Sequence, residues 1–225
     1  MKGLIVVGLV MGASLVAVKP VSALSAEAYR QIGLSDREQG RYAEAIAALQ
    51  QAVALEPANL SGRVLLGWTQ HKAGQNTAAA ATLLEAFHRN PFDVPTLNAL
   101  GIVYLVEGQL TAAVTTHTWA AMLQPGNEIP HYNLSLAFER LRQYNWAIAT
   151  AKNAAKLEPT NPHPFVALAI AYWGNGEKAQ ARQIYQQALN VDPRYRDAAF
   201  LNYLNEAGFS QDQIVRSKIV LQSVR

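Results

Sequence analysis

The chain contains no cysteine. That excludes disulfides, thiol nucleophiles, thiolate metal sites and a lipid-modified N-terminal Cys. Charge is also scarce, with 16% Asp, Glu, Lys and Arg among 225 residues. The formal net charge of +3 falls to +1 when residues 1–23, which hold Lys2 and Lys19, are set aside. A near-neutral body has no basic stripe to follow a phosphate backbone, so nucleic-acid binding is not expected. Catalytic signatures are missing as well. None of the five histidines pairs at i, i+4 spacing, and H-E-x-x-H and G-x-S-x-G do not occur. Gly174-Asn175-Gly176-Glu177-Lys178 lacks the remainder of a phosphate-binding loop. No cofactor, metal or active site is expected.

What is present is apolar residue, half of the chain. Such a composition builds a core. The run from Gly3 to Val18 has 16 residues, fewer than the roughly 20 a spanning helix needs. A basic start, Met1-Lys2, precedes it, and small residues, Val21-Ser22-Ala23, follow. Residues 1–23 therefore read as a secretory signal peptide cleaved near Ala23, with an uncleaved membrane anchor as the alternative. Either places the remainder outside the cytoplasm. Membrane attachment is expected only if this segment is retained.

Five short stretches end in similar ways, among them Leu55-Glu56-Pro57-Ala58-Asn59 and Leu157-Glu158-Pro159-Thr160-Asn161. Their prolines, Pro57, Pro91, Pro125, Pro159 and Pro193, are each 34 residues apart. A fixed period of this size marks a stacked-repeat architecture. Five units then run over 26–59, 60–93, 94–127, 128–161 and 162–195. The eighth position is small throughout: Gly33, Gly67, Gly101, Ser135, Ala169. Two further positions are always alanine: Ala45, Ala79, Ala113, Ala147, Ala181, and Ala52, Ala86, Ala120, Ala154, Ala188. Seven apart, these alanines share one face of a second helix in each unit. Gly40, Gly74, Gly108 and Gly176 mark the hairpin turn, where repeat 4 has Arg142. Each proline ends a second helix.

The pattern resembles the tetratricopeptide repeat family over residues 26–195. Repeat 1 carries it through Tyr29, Gly33, Tyr42, Ala45, Leu49, Ala52 and Pro57. Repeat 5 does so through Phe165, Tyr172, Ala181, Tyr185, Ala188 and Pro193. Arg63, Gln70 and Arg89 depart from it in repeat 2, as do Asp36, His117 and Ala151 elsewhere. The resemblance implies an all-α, right-handed superhelix of five helix-turn-helix repeats. Residues 196–225 are expected to supply a capping helix over Arg196 to Glu206 and a docked tail helix through about Val224.

The resemblance also implies that the first helix of each hairpin lines a concave groove. The expected partner-binding residues are Arg30, Leu34 and Arg37 in repeat 1, Val64, Trp68 and His71 in repeat 2, and Asn98, Ile102 and Leu105 in repeat 3. Tyr132, Asn133 and Leu136 follow in repeat 4, and Val166, Ile170 and Trp173 in repeat 5. The lining is polar in repeat 1 and apolar from Val64 to Trp173. The Lys/Asn/Arg clamp with which some members grip a C-terminal carboxylate is absent, since Leu34, Leu65, Trp68 and Ile102 stand in its places. The expected function is a non-catalytic scaffold holding an apolar peptide or helix of a protein partner. By analogy with the family, it assists assembly or maintenance of a membrane or extracytoplasmic complex. The alternatives are a groove filled by the chain's own tail, residues 209–225, or by a second copy in a homodimer.

Overall fold

Each unit of the sequence period becomes one helical hairpin, and the boundaries repeat residue for residue. The computed structural model describes residues 24–224; the expected signal peptide or anchor, residues 1–23, lies outside them. The first helices are α1 (Ala26–Glu38), α3 (Leu60–Lys72), α5 (Val94–Val106), α7 (Glu128–Arg140) and α9 (Pro162–Gly174). The second helices are α2 (Tyr42–Leu55), α4 (Asn76–Arg89), α6 (Leu110–Leu123), α8 (Tyr144–Leu157) and α10 (Lys178–Val191). Each helix packs on its neighbours in sequence, and α3, α5, α7 and α9 also pack on one another. The result is an α-solenoid. No helix among the described residues is long and apolar enough to cross a membrane.

The first helices start at matching side-chain caps. Asn59 accepts from the Gly62 N–H at 2.9 Å, Asp93 from Thr96 at 3.0 Å and Asn161 from His163 at 3.0 Å. Ser25 and Asn127 do the same. These side chains pair donors that the first helical turn leaves without partners. The polar residue closing each proline stretch is thus the cap of the next repeat.

The hairpin turns follow one motif. In repeat 3 the Gly108 N–H donates to Leu105 O and the Gln109 N–H reaches back to Tyr104 O, with Gly108 at φ 76°. This left-handed closure suits glycine. Repeat 4 makes the same bonds with Arg142 at φ 58°. A side chain in that conformation costs roughly 1–2 kcal/mol. Arg142→Gly is therefore expected to raise the unfolding free energy by about 1 kcal/mol, read as a higher urea midpoint. A lower midpoint would mean that the Arg142 side chain contributes more than its backbone costs.

The small and large columns explain the tight hairpins. A Cβ built on Gly33 would stand 2.6 Å from Leu49 Cγ, one on Gly67 2.6 Å from Leu83 Cγ, and one on Gly101 2.6 Å from the His117 ring. All ten repeat alanines are buried. In the seventh column, Leu66, Leu100, Leu134 and Leu168 are buried, but Ile32 is 40% exposed because it stands in the first repeat of the stack. The polar departures of repeat 2 are satisfied locally. Buried Arg63 pairs with Glu85 and donates to the Pro57 carbonyl at 3.1 and 3.2 Å. Gln70 accepts from Thr82 at 2.8 Å, while Arg89 is simply exposed. Asp36 pairs with Arg41.

The C-terminal segment differs from the expected capping α-helix over Arg196 to Glu206. It forms two 3-10 helices, Pro193–Arg196 and Phe200–Ala207. Asp192 caps the first by accepting from Arg194 N–H, and Gly208 closes the second at φ 83°. The tighter winding and left-handed exit turn the chain back toward the concave face. There α11 (Gln211–Val224) begins with a reciprocal cap: Ser210 accepts from the Gln213 N–H, and the Gln213 side chain accepts from the Ser210 N–H at 3.0 Å. It packs against α9 and α10.

Candidate functional site

The concave face is divided into an open half and a half closed by the chain's own tail. In the closed half, Leu105, Leu136, Val166 and Ile170 have no exposed surface. They share one buried cluster with Leu204, Phe209, Ile214, Val220 and Leu221 of the tail. Gly208 sits directly over Leu136 and Leu105, its would-be Cβ 3.8 and 3.9 Å from their methyl carbons. These four expected partner-binding residues are therefore core residues of the folded chain, not surface open to a partner. Lining positions are apolar in either role, so the sequence could not separate the two.

Polar contacts fix the tail in place. Buried Glu139 forms an ion pair with Arg216 and accepts from the Gln213 side chain at 2.9 Å. The same Gln213 amide donates to Leu136 O at 3.1 Å. Tyr132 donates its hydroxyl proton to Ala207 O at 2.6 Å, and burial pushes its pKa up. Lys72 pairs with Glu206 at 2.9 Å across 134 residues of chain. Reading the sequence alone missed Phe209, Gln213 and Arg216. Their available signal was Ser210-x-x-Gln213, a reciprocal cap preceding an apolar helix.

The open half spans repeats 2 to 4. Val64, Trp68, Asn98 and Ile102 line one hollow together with Pro95 and Ile129, of about 370 Å³. Trp68, His71, Ile102, Tyr132 and Asn133 line a larger one of about 550 Å³, whose far wall is residues 205–210 of the tail. Trp68, Ile102 and Ile129 belong to both, so the two are continuous. Trp68 also lies against His71, with ring centroids 5.2 Å apart and the planes tilted by 42°, and His71 Nδ1 bonds Asn76 Oδ1 at 2.8 Å. Asn98 Oδ1 is buried without a hydrogen-bond partner among the described residues.

The remaining expected residues stand elsewhere. Arg30 is engaged by Glu27 at 2.7 Å and Glu56 at 2.6 Å, so its charge is already neutralised. Leu34 and Arg37 are half-buried in repeat 1, away from both hollows. Trp173 is half-buried and capped by Lys178, whose ammonium lies 3.8 Å from the ring centre and donates to Trp173 O at 2.6 Å. The structure thus brings together seven of the expected residues: Val64, Trp68, His71, Asn98, Ile102, Tyr132 and Asn133.

The same architecture occurs in solved structures. A MamA protein aligns over 75% of this chain and 92% of its own, with 21% identity and a TM-score of 0.65. MamA residues 41-end from Desulfovibrio magneticus RS-1 align over 75% and 95%, with 18% identity and a TM-score of 0.68. TTC0263, a thermophilic TPR protein in Thermus thermophilus, aligns over 88% and 100%, with 22% identity and a TM-score of 0.64. At these identities the likeness is one of fold. No curated protein sequence matches the chain. The tetratricopeptide repeat model matches residues 36–101 and 140–201, together more than half of the chain. With its five hairpins in 34-residue register, the chain belongs to the tetratricopeptide repeat family.

Proposed function

We propose that this protein is a non-catalytic interaction scaffold that holds an apolar segment of a partner protein in the open half of its groove. The observation that carries the reading is the apolar wall of Val64, Trp68, Ile102 and Ile129 around a continuous hollow on the concave face. Ile129 is 39% exposed there, and Trp68, Ile102 and Ile129 belong to none of the buried clusters that hold the hairpins together, whereas Val64 packs against one of them. Aromatic side chains in such positions anchor interfaces, and truncating one typically costs about 2 kcal/mol or more. Residues 1–23 favour a site of action outside the cytoplasm, where assembly or maintenance of a membrane or envelope complex suits a scaffold.

A photoreactive residue placed at Ile102 is expected to crosslink a partner in living cells, and Trp68→Ala to reduce the yield more than tenfold. Equal crosslinking in both backgrounds would remove the groove from consideration. The filled-groove alternative applies to Leu105, Leu136, Val166 and Ile170, on which the tail lies, and not to the hollow lined by Val64, Trp68, Ile102 and Ile129.

A further inference from the structure

The hollow between the open groove and the tail has a polar end wall that includes Arg140 and Asn133. Arg140 ends α7 and lines it, with one guanidinium N–H donating to Leu105 O. No carboxylate among the described residues is paired with it, although the field of Asp212 reaches it. Asn133 lines the same hollow and is only 4% exposed, and its amide atoms, not hydrogen-bonded to other described side chains, stay open to the hollow. A half-buried cation with no paired carboxylate carries a desolvation cost that a carboxylate brought by a partner would offset.

The neighbouring residue shows how this face handles such a group. Glu139, 1% exposed, is met by Arg216 and Gln213 of α11, a helix whose Ile214, Val220 and Leu221 are buried. The closed half thus holds a helix with an apolar stripe and a cationic anchor for a groove acid. The open half presents the opposite anchor, Arg140, beside Trp68, Ile102 and Ile129. A helix pairs its own backbone, whereas an extended chain would find few backbone partners along the apolar wall of Val64, Trp68, Ile102 and Ile129.

We propose that the open half of the groove receives an amphipathic helix of a partner protein whose apolar stripe carries one side-chain carboxylate, paired with Arg140 and hydrogen-bonded by Asn133. This rests on the groove reading above and adds the chemistry of the occupant. The tail wall at residues 205–210 sets where that helix stops, and the Arg140 guanidinium fork suits one carboxylate held at two points.

The test is a displayed library of amphipathic helices about four turns long, with one position of the apolar stripe varied among Glu, Gln, Leu and Lys, selected against the full chain. Glu clones are expected to bind about tenfold more tightly than their Gln counterparts. Arg140→Gln should erase that difference, and Arg140→Glu should turn the preference to Lys. Because Arg140 also holds Leu105 O, Arg140→Lys, which keeps the charge, should retain the Glu preference at reduced size. The Glu-to-Gln comparison on the unaltered chain depends on no variant. Gln or Leu clones binding as tightly as Glu, yet lost on Trp68→Ala, would overturn the inference and leave the groove reading standing. Recovery of no helix that Trp68→Ala weakens would overturn both.

Discussion

Replacing Phe209 with alanine is expected to cost roughly 3–5 kcal/mol of stability, the range for removing a fully buried phenylalanine. Its ring is 2% exposed and lies against Tyr132, with centroids 6.2 Å apart. It follows directly on the left-handed turn at Gly208 that covers Leu105 and Leu136. Collapse into the vacated space is limited, because the surrounding side chains belong to rigid first helices and Tyr132 is fixed by its bond to Ala207 O. The loss should also spread along the tail. With Phe209 gone, the Gln213 and Arg216 contacts to Glu139 must hold the start of α11 alone. Repeat arrays do not always unfold in one step, so two readouts are needed: the urea midpoint and amide exchange across residues 205–224. The expected result is a lower midpoint with faster exchange in α11. A change below about 1 kcal/mol with unaltered exchange would show the tail to be a loose appendage, and the groove would then be open along its whole length.

That outcome bears on what the sequence could and could not reveal. The hairpins were legible because each depends on interactions local in the chain. Pro57 and its four equivalents end helices wherever they stand. The alanine columns follow from the close approach of two helices, and the left-handed turn explains glycine at four of five positions. The exception, Arg142, adopts the glycine conformation nonetheless, because the bonds from Arg142 to Glu139 O and from Gln143 to Phe138 O over-determine the turn. Tertiary context overrides the local preference there.

The course of the tail was not legible, since it depends on contacts 74 to 134 residues apart in sequence, from Gln213 to Glu139 and from Lys72 to Glu206. Ala198, Phe200, Leu201 and Leu204 have a spacing compatible with an α-helix, yet the segment winds more tightly as 3-10. Helix propensity gave way to the need to bury Leu201 and Leu204 while carrying Gly208 over α5 and α7. For the same reason the site was recovered only in part. Leu136 and Ile170 have the same chemistry as Val64 and Ile102. Only the path of residues 200–221 decides which pair the chain keeps for itself.

His117 is expected to make the protein acid-labile, by roughly 2–3 kcal/mol between pH 6.5 and about 4.5. Its ring is completely buried against Gly101, whose backbone lies close enough to favour the charged form slightly, but neither nitrogen makes a well-formed hydrogen bond among the described residues. Burial lowers its pKa from 6.5 to about 3. In the unfolded chain the imidazole takes up a proton near pH 6.5, while in the folded chain it stays neutral until near pH 3. Protonation therefore favours the unfolded chain. The stability is complete above pH 6.5 and falls by up to about 1.4 kcal/mol per unit as the pH drops toward 3. His163, also lowered chiefly by burial, adds a slope of the same sign. The carboxylates with depressed values act only at lower pH. His117→Leu should remove most of the slope and, by replacing two unpaired polar atoms, add about 1 kcal/mol at neutral pH. Leucine is the fitting replacement because Leu49 and Leu83 occupy the same column against Gly33 and Gly67. Urea unfolding of both proteins at several pH values reads the effect directly. An unchanged slope in His117→Leu would place the acid sensitivity in His163 or in another group. A slope absent from the parent chain would mean that His117 takes up its proton in the folded chain as readily as in the unfolded one, so that burial does not hold it neutral.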